Sequence, residues 1–180
     1  MKNYRLQSWM SIIGFLLIVS GIRGIAQEAT GGKGAKTAEN SNFPRDIFAS
    51  YIFQGIPENP ELITEEHKVE KLNENEAQQE HWRFAGEWDT VIICSSENFN
   101  IVYTQYKDEY KIQYVKLTGK TPCATEWSSY IGKNTDYLLR VFGEPKSLNT
   151  STVLYSTDEY YILFNYDKKI ISSILLAREQ

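Results

Sequence analysis

Histidine and cysteine are scarce in this sequence, with two residues of each among 180. Neither His67 nor His81 has the spacing to Cys94 or Cys123 that a structural zinc site requires. The sequence also lacks a Gly-x-Ser-x-Gly nucleophile elbow, a glycine-rich phosphate loop and a calcium-binding loop. We therefore predict that the protein binds no metal or cofactor and has no catalytic residues, which favours a protein that is not an enzyme.

A hydrolase with an unrecognised site is the weaker alternative. His81, Asp89 and Ser95 are a base, an acid and a nucleophile of the types that a serine hydrolase uses. Cys94 near His81 is a second conceivable nucleophile. A glycosidase would need two facing carboxylates, and 23 acidic residues give no basis for choosing a pair. Because most exported chains supply such combinations by chance, these residues carry little weight.

The chain has no excess of positive charge, since 19 Lys and Arg residues face 23 Asp and Glu residues, a net charge of −4. Nucleic-acid-binding proteins carry basic patches that attract phosphates, and anionic lipid repels an acidic surface. We therefore exclude nucleic acid as a partner. A basic protein partner would suit this surface, although solubility alone explains an acidic charge equally well.

Long apolar runs are missing except near the N-terminus, where residues 9–22 are mostly apolar and follow Lys2 and Arg5. This run is shorter than the roughly 20 residues of a membrane span, and Gly24 and Ala26 place small residues where a signal peptidase reads. We interpret residues 1–26 as a signal peptide, with a retained anchor as the alternative. No cysteine follows the apolar run, so the pattern does not indicate a lipid-anchored lipoprotein. We predict an exported bacterial protein, either periplasmic or secreted, with no membrane span after cleavage.

Both cysteines lie in the predicted exported part. An even pair in an oxidising compartment most often forms a disulfide, so we predict a bond between Cys94 and Cys123. Such a bond would stabilise the fold by about 3 to 4 kcal/mol on the chain-entropy model. Two buried free thiols are the alternative.

Composition divides the mature chain into a leader and one domain. Residues 27–42 are rich in Gly, Lys, Ala, Thr and Asn without apolar periodicity, which is typical of a disordered leader. We assign residues 43–180 to a single α+β domain. Within it, residues 61–80 hold seven glutamates, so this acidic segment is either a helix with a narrow apolar stripe or a charged linker.

Short apolar and alternating runs from residue 91 onwards predict an antiparallel sheet. The predicted strands are residues 91–94, 100–106, 110–117, 152–156, 159–166 and 170–177. In the third of these, Ile112 and Tyr114 share one face whereas Val115 and Leu117 fall on the other. This change of phase indicates a β-bulge or a strand covered on both sides near its end.

Residues 131–145 have the pattern of one short helix with clear ends. Asn134 is a good N-cap, the apolar residues after it recur at helical spacing, and Gly143 followed by Pro145 ends the helix. Gly132 precedes the cap. Two turns of helix are unstable alone in water, so we expect the apolar face, with Tyr137, Leu138, Val141 and Phe142, to pack on the last three strands.

This pattern resembles the signature of small exported modules of the SmpA/OmlA (BamE) type and of the β-lactamase-inhibitor-protein type. The matching positions are Ile131, Gly132, Asn134, Asp136, Leu138, Leu139, Phe142, Gly143 and Pro145, followed by strands as far as Leu176. The resemblance covers about the last 50 residues. It implies short helices packed on an antiparallel meander, sometimes in tandem copies. It also implies roles in outer-membrane assembly or enzyme inhibition.

A weaker similarity links the N-terminal part of the domain to this helix, because Asp46, Gly55 and Pro57 follow one another much as Asp136, Gly143 and Pro145 do. We therefore expect two halves, residues 43–119 and 128–180, each a helix followed by three antiparallel strands. The predicted fold class is α+β, with short helices packed on an antiparallel sheet.

Aromatic residues give the one positive indication of function. Their number suggests either cross-strand packing or an aromatic sheet face that binds a partner. The candidate contact residues are Trp127, Tyr161, Tyr106 and Tyr114. The sequence thus favours an exported, non-enzymatic binding or envelope-assembly module with a protein partner, or alternatively a proteinaceous enzyme inhibitor.

Overall fold

The computed structural model of the protein describes residues 52–179. The predicted signal peptide at residues 1–26, the predicted leader at 27–42 and most of the first predicted helix lie outside this range. No helix among residues 52–179 is long and apolar enough to cross a membrane.

The described chain is dominated by eight β-strands, with helical segments between some of them. The strands are β1 (Lys68–Asn73), β2 (Thr90–Ser95), β3 (Phe99–Tyr106), β4 (Glu109–Leu117), β5 (Ser147–Leu148), β6 (Thr152–Ser156), β7 (Tyr160–Asp167) and β8 (Ile170–Arg178). The α-helices are α1 (Glu74–Gln79), α2 (Thr125–Ser128) and α3 (Thr135–Phe142), and two 3₁₀ turns occupy Pro60–Leu62 and Pro122–Ala124.

All eight strands form one antiparallel sheet in the order β1-β2-β3-β4-β8-β7-β6-β5. Each half of the chain contributes a four-stranded meander, because each strand pairs with the one next to it in sequence. The two meanders join where β4 pairs with β8, and this seam contains only four residue pairs, from Tyr114↔Ala177 to Leu117↔Ile174. The seam is therefore short compared with the eight pairs between β7 and β8.

The predicted α+β class, with helices packed on the sheets of two separate halves, is wrong. One continuous sheet organises the domain, each half supplies four strands instead of three, and the longest described helix, α3, has eight residues. The prediction did not foresee that β4 pairs with β8. Through this pairing the two meanders share one hydrophobic core instead of forming two.

The additional strands lie at the two edges of the sheet. The acidic segment 61–80, predicted as a helix or a linker, contains β1 and α1. In β1 only Leu72 is buried, and the other residues are exposed because an edge strand has one open side. Charged residues such as Lys68, Glu70 and Lys71 on an edge also discourage pairing with other chains. An edge strand of this composition has no apolar alternation, which is why the sequence did not reveal it.

The other predicted strands are confirmed to within about two residues at each end, as is usual for element boundaries. The phase change in β4 is also confirmed as a β-bulge. Val102 pairs with Tyr114 but Tyr103 pairs with Ile112, so Gln113 is an extra residue in β4. The Gln113 side chain is buried and donates a hydrogen bond to Thr104 Oγ1 at 2.6 Å.

The main core lies on one face of the sheet and runs across both meanders. Its fully buried members include Ile92, Ile101, Leu117, Ile162 and Leu176. Runs of four consecutive buried residues in β2, β3, β4 and β8 show that the second face is covered as well at the centre of the sheet.

Helix α3 begins and ends at the predicted residues. The Asn134 side chain accepts a hydrogen bond from the Asp136 N–H at 2.8 Å, and Gly143 follows the last turn with φ = 75°. Leu138 is fully buried, and Phe142 packs against aromatic residues of β6 and β7. The predicted apolar face is wrong at one position, because Val141 remains 46% exposed.

Candidate functional site

The three residues that could have formed a hydrolase site are not connected in the structure. His81 and Asp89 are exposed, Ser95 is half-buried, and no hydrogen bond joins any two of them among the described residues. His81 has φ = 67° in the loop after α1, a backbone conformation that reflects its place in the turn. A general base without a bonded nucleophile or orienting acid does not constitute a catalytic triad.

The structure does not support the predicted disulfide between Cys94 and Cys123, since both thiols are free and buried in it. Cys94 lies on β2 and Cys123 lies in the 3₁₀ turn after β4, and both belong to the main core. The Cys123 backbone N–H donates to the Glu65 carboxylate, and its Sγ lies 3.1 Å from Thr121 Oγ1. The structure agrees with the alternative of two buried free thiols.

Both thiols are poor nucleophiles in this environment. Burial raises the pKa of Cys94 to about 11, although Lys71 partly opposes this effect. Burial also raises the pKa of Cys123 to about 11, against the lowering effect of the hydrogen bond with Thr121. Because the thiolate is the reactive form, neither cysteine is suited to nucleophilic catalysis near neutral pH.

The aromatic candidates for partner contact are largely packed inside the protein. Trp127 is only 8% exposed and stacks on Phe142 with ring centroids 6.2 Å apart. Tyr114 is also 8% exposed and stacks on Trp82 at 5.7 Å. Tyr161 is half-buried, and only Tyr106, at the end of β3, counts as exposed. The four residues therefore do not form an open aromatic face.

Four residues of the predicted helix pattern, Gly132, Asn134, Gly143 and Pro145, lie at the ends of α3 or next to them. Asn134 and Gly143 begin and end α3, and Pro145 follows it. The Gly132 N–H donates to the Ile171 carbonyl at 2.9 Å, which attaches the segment before α3 to the first part of β8. The Thr135 N–H likewise donates to the Lys169 carbonyl at 2.8 Å.

An open cleft of about 530 Å³ lies where β4 separates from β8. The two strands pair only as far as Tyr114↔Ala177, next to the bulge residue Gln113. Beyond the bulge, Tyr110, Lys111 and Ile112 line the cleft from β4. Bulges often end strand pairing and redirect side chains beside functional sites. The volume is within the range of small-ligand sites, and we call this site the Arg178 cleft.

The opposite wall is the segment 52–56 together with Glu58. Ile52 and Ile56 are buried in the core and hold this segment against the sheet. The Tyr103 hydroxyl also donates a hydrogen bond to the carbonyl of Pro57, the residue that follows this segment, at 2.8 Å. Phe53 then packs edge-on against Tyr160, with ring centroids 6.0 Å apart.

Arg178, the last residue of β8, bridges the gap between the strands. Its Nε–H donates to the Ile112 carbonyl at 2.8 Å, and Nη1 donates to the Tyr160 hydroxyl at 2.7 Å. The guanidinium carbon lies 4.9 Å from the Tyr160 ring centroid and 5.5 Å from that of Phe53. Two hydrogen bonds and two cation–π contacts therefore fix the orientation of this side chain.

The charges of the Arg178 cleft are Arg178, Lys111 and Glu58. The one ion pair among residues 52–179, between Lys169 and Asp136 at 4.0 Å, lies elsewhere. Within residues 52–179, therefore, no carboxylate lies within 4.0 Å of either cation of the cleft. The cleft is locally cationic on a protein whose overall charge is negative.

Sequence reasoning missed Arg178, because a single arginine near the C-terminus has no motif around it. The change of phase at Gln113 was the one available signal, since it marks where β4 leaves its neighbour. Pairing of β4 with the distant strand β8 was not predicted. The bulge could therefore not be connected with Arg178.

Within residues 52–179 no group of three or more His, Cys, Asp or Glu side chains is placed to hold a metal ion. No protein family, curated protein or solved structure matches this chain.

Proposed function

We propose that this protein is an exported, non-enzymatic binding module, and that it binds a segment of a protein partner in the Arg178 cleft. The observation that carries this proposal is the cleft itself. It combines an oriented guanidinium with aromatic walls at a place where two strands separate. Pockets that place a few fixed polar groups beside apolar walls are typical recognition sites.

The surrounding structure supports a role in binding because the site is rigidly held. β4, β7 and β8 belong to one sheet, and Tyr160 and Arg178 are directly paired across β7 and β8. A cleft whose side chains are already oriented loses little conformational entropy when it binds. Tyrosine and arginine are also the residue types that contribute most to protein interfaces.

The hydrolase alternative has less support than the binding role. His81, Asp89 and Ser95 are not joined by hydrogen bonds, and burial raises the pKa of both thiols to about 11. None of these residues lines the Arg178 cleft.

Export is supported by the sequence of residues 1–26 and by the resemblance of residues 131–145 to small exported modules. N-terminal sequencing of the protein recovered from the exporting cell tests this part of the proposal. A mature chain that begins at Gln27 is expected, and an uncleaved cytoplasmic chain would contradict it.

Photo-cross-linking tests the binding role directly. A benzoylphenylalanine in place of Lys111 positions the reactive group at the cleft, and the same group in place of Glu74 on α1 is the matched control. We expect one partner protein to be cross-linked in envelope extracts from position 111 and not from position 74. The purified partner should then bind the unmodified protein in calorimetry, and Arg178→Gln should weaken that binding.

Two results would overturn the proposal. One is a set of cross-linked proteins that is the same from both positions. The other is hydrolysis of ester, peptide or glycoside substrates that His81→Ala abolishes, since this would establish the enzymatic alternative.

A further inference from the structure

We propose that the Arg178 cleft recognises a carboxylate next to an apolar or aromatic group on the bound segment. This inference rests on the proposed function, because it specifies the chemistry of the segment that the cleft binds. Its basis is the set of hydrogen-bond donors that Arg178 retains, together with the rings that surround them.

Arg178 uses two of the five N–H donors of its guanidinium, one to the Ile112 carbonyl and one to the Tyr160 hydroxyl. Nη2 donates to no described residue. Arg178 is half-buried and lines the open cleft. A second N–H of Nη1 remains available beside Nη2. The guanidinium can therefore offer two parallel donors, the geometry that a carboxylate accepts.

The charge balance of the cleft favours the same ligand. Lys111 adds a second positive charge to the lining, and no carboxylate of the described residues lies within 4.0 Å of either cation. Glu58 lines the cleft but is exposed and does not form an ion pair. A carboxylate ligand would therefore contact the oriented guanidinium of Arg178, which forms no ion pair within residues 52–179.

The rings define the rest of the ligand. Phe53 and Tyr160 lie on the guanidinium, and Tyr110 lines the β4 side of the cleft. The Phe53 and Tyr160 rings contact the guanidinium and help to fix its orientation. They also provide apolar surface beside the charged group. A carboxylate attached to an aromatic or aliphatic group fits both features.

The experiment titrates the ¹⁵N-labelled full-length protein with 3-phenylpropionate and, as the matched neutral probe, with 3-phenylpropionamide. The readout is the Nε–H resonance of Arg178, assigned by its loss in Arg178→Lys. We expect the carboxylate to shift this resonance and the amide to leave it nearly unchanged. Arg178→Gln should lower the affinity by about 10-fold to 100-fold, as for loss of hydrogen bonds to a charged group.

Charge changes at other residues test carboxylate binding even if Arg178→Gln unfolds the protein. Lys111→Gln removes only an exposed charge and should weaken binding of the carboxylate several-fold. Glu58→Gln should strengthen it, because a like charge is removed. Arg83→Gln, an equal change of charge at an exposed residue that does not line the cleft, should have no effect.

Peptides distinguish the two sources of a carboxylate. Acetyl-Gly-Gly-Phe with a free C-terminus presents a main-chain carboxylate, and acetyl-Phe-Glu-Gly amide presents only a side-chain carboxylate. Acetyl-Gly-Gly-Phe amide presents neither. Binding of either of the first two, but not the third, supports the inference and identifies the source.

Equal binding of the charged and neutral probes would overturn the carboxylate inference while leaving the cleft as a binding site. The same conclusion would follow if Arg83→Gln weakened binding as much as Lys111→Gln. By contrast, a partner that cross-links equally from positions 111 and 74 would overturn the proposed function itself.

Discussion

Ser96 and Thr157 occupy equivalent positions in the two meanders, 61 residues apart in the chain. The Ser96 hydroxyl accepts hydrogen bonds from the N–H groups of Asn98 and Phe99, at 3.2 and 3.3 Å. The Thr157 hydroxyl accepts from the N–H groups two and three residues later in the same way, at 3.3 and 3.1 Å. Each residue also donates its own N–H to the carbonyl three residues on, at 2.8 Å in both turns.

The hairpins that follow these turns have matching lengths. β3 and β7 have eight residues each, and β4 and β8 have nine each. The same strand lengths and the same turn chemistry at one constant offset indicate an internal structural repeat. Arg178 breaks the repeat, because the position 61 residues earlier is Leu117, which is fully buried in the core.

Ser96→Ala and Thr157→Val should each destabilise the protein by about 1 kcal/mol, since each removes a side-chain acceptor from two turn N–H groups. Because the turns lie in different meanders, the two effects should add. Urea denaturation of the single and double variants measures these free energies. Thr118→Val serves as a control, since its hydroxyl donates only to the exposed carbonyl of Glu97. A double variant no less stable than either single variant would contradict equivalent roles for the two turns.

Leu138→Ala should destabilise the protein by about 2 to 4 kcal/mol, because this fully buried side chain of α3 would leave a cavity over the sheet. Leu139→Ala is the matched control on the same helix. Leu139 is 39% exposed, and its truncation should cost about 0.5 kcal/mol. Thermal denaturation of both variants measures the difference. Equal losses would mean that α3 packs on the sheet through a different face.

The sequence contained enough information for the strands and for α3, because these elements have local signals. Alternating residues in β7 and the cap at Asn134 depend only on neighbouring positions. β1 lacked such a signal, since its charged residues are tolerated only at a sheet edge. The Arg178 cleft depends on the pairing of β4 with β8, which are far apart in the chain. Long-range pairing of this kind leaves no pattern in a single sequence.

Gly143→Ala should destabilise the protein by about 1 to 3 kcal/mol through the backbone alone. Gly143 has φ = 75° and ψ = −150°, a conformation that is strained for every residue with a Cβ. A Cβ built at this position would meet no atom of the surrounding residues within 4 Å, so the cost arises from the local backbone conformation. The Tyr155 hydroxyl donates to the Gly143 carbonyl at 3.1 Å and helps hold this conformation. Urea denaturation measures the cost, with the exposed neighbour Glu144→Ala as control. Equal stability of Gly143→Ala and the wild type would show that the chain can relax here.

The two free thiols predict that stability decreases at alkaline pH. Burial raises the pKa of Cys94 and Cys123 from an ordinary value of 9.0 to about 11 in the folded protein. Between these values the unfolded chain releases the thiol protons while the folded protein retains them. The unfolded state then binds fewer protons, so the free energy of unfolding falls as pH rises from about 9 to 11. Below pH 9 the contribution of the thiols is fully present.

The Cys94→Ala, Cys123→Ala double variant separates the thiols from the tyrosines, among which burial raises the pKa of Tyr155 to about 12. We expect the wild type to lose stability more steeply than the double variant between pH 9 and 11, measured as urea midpoints at constant ionic strength. The folded protein should also react slowly with iodoacetamide at pH 8 and gain two labels once unfolded without a reductant, because both thiols are free. Labelling that required prior reduction would contradict free thiols, and parallel pH profiles would show that their titration is not linked to folding.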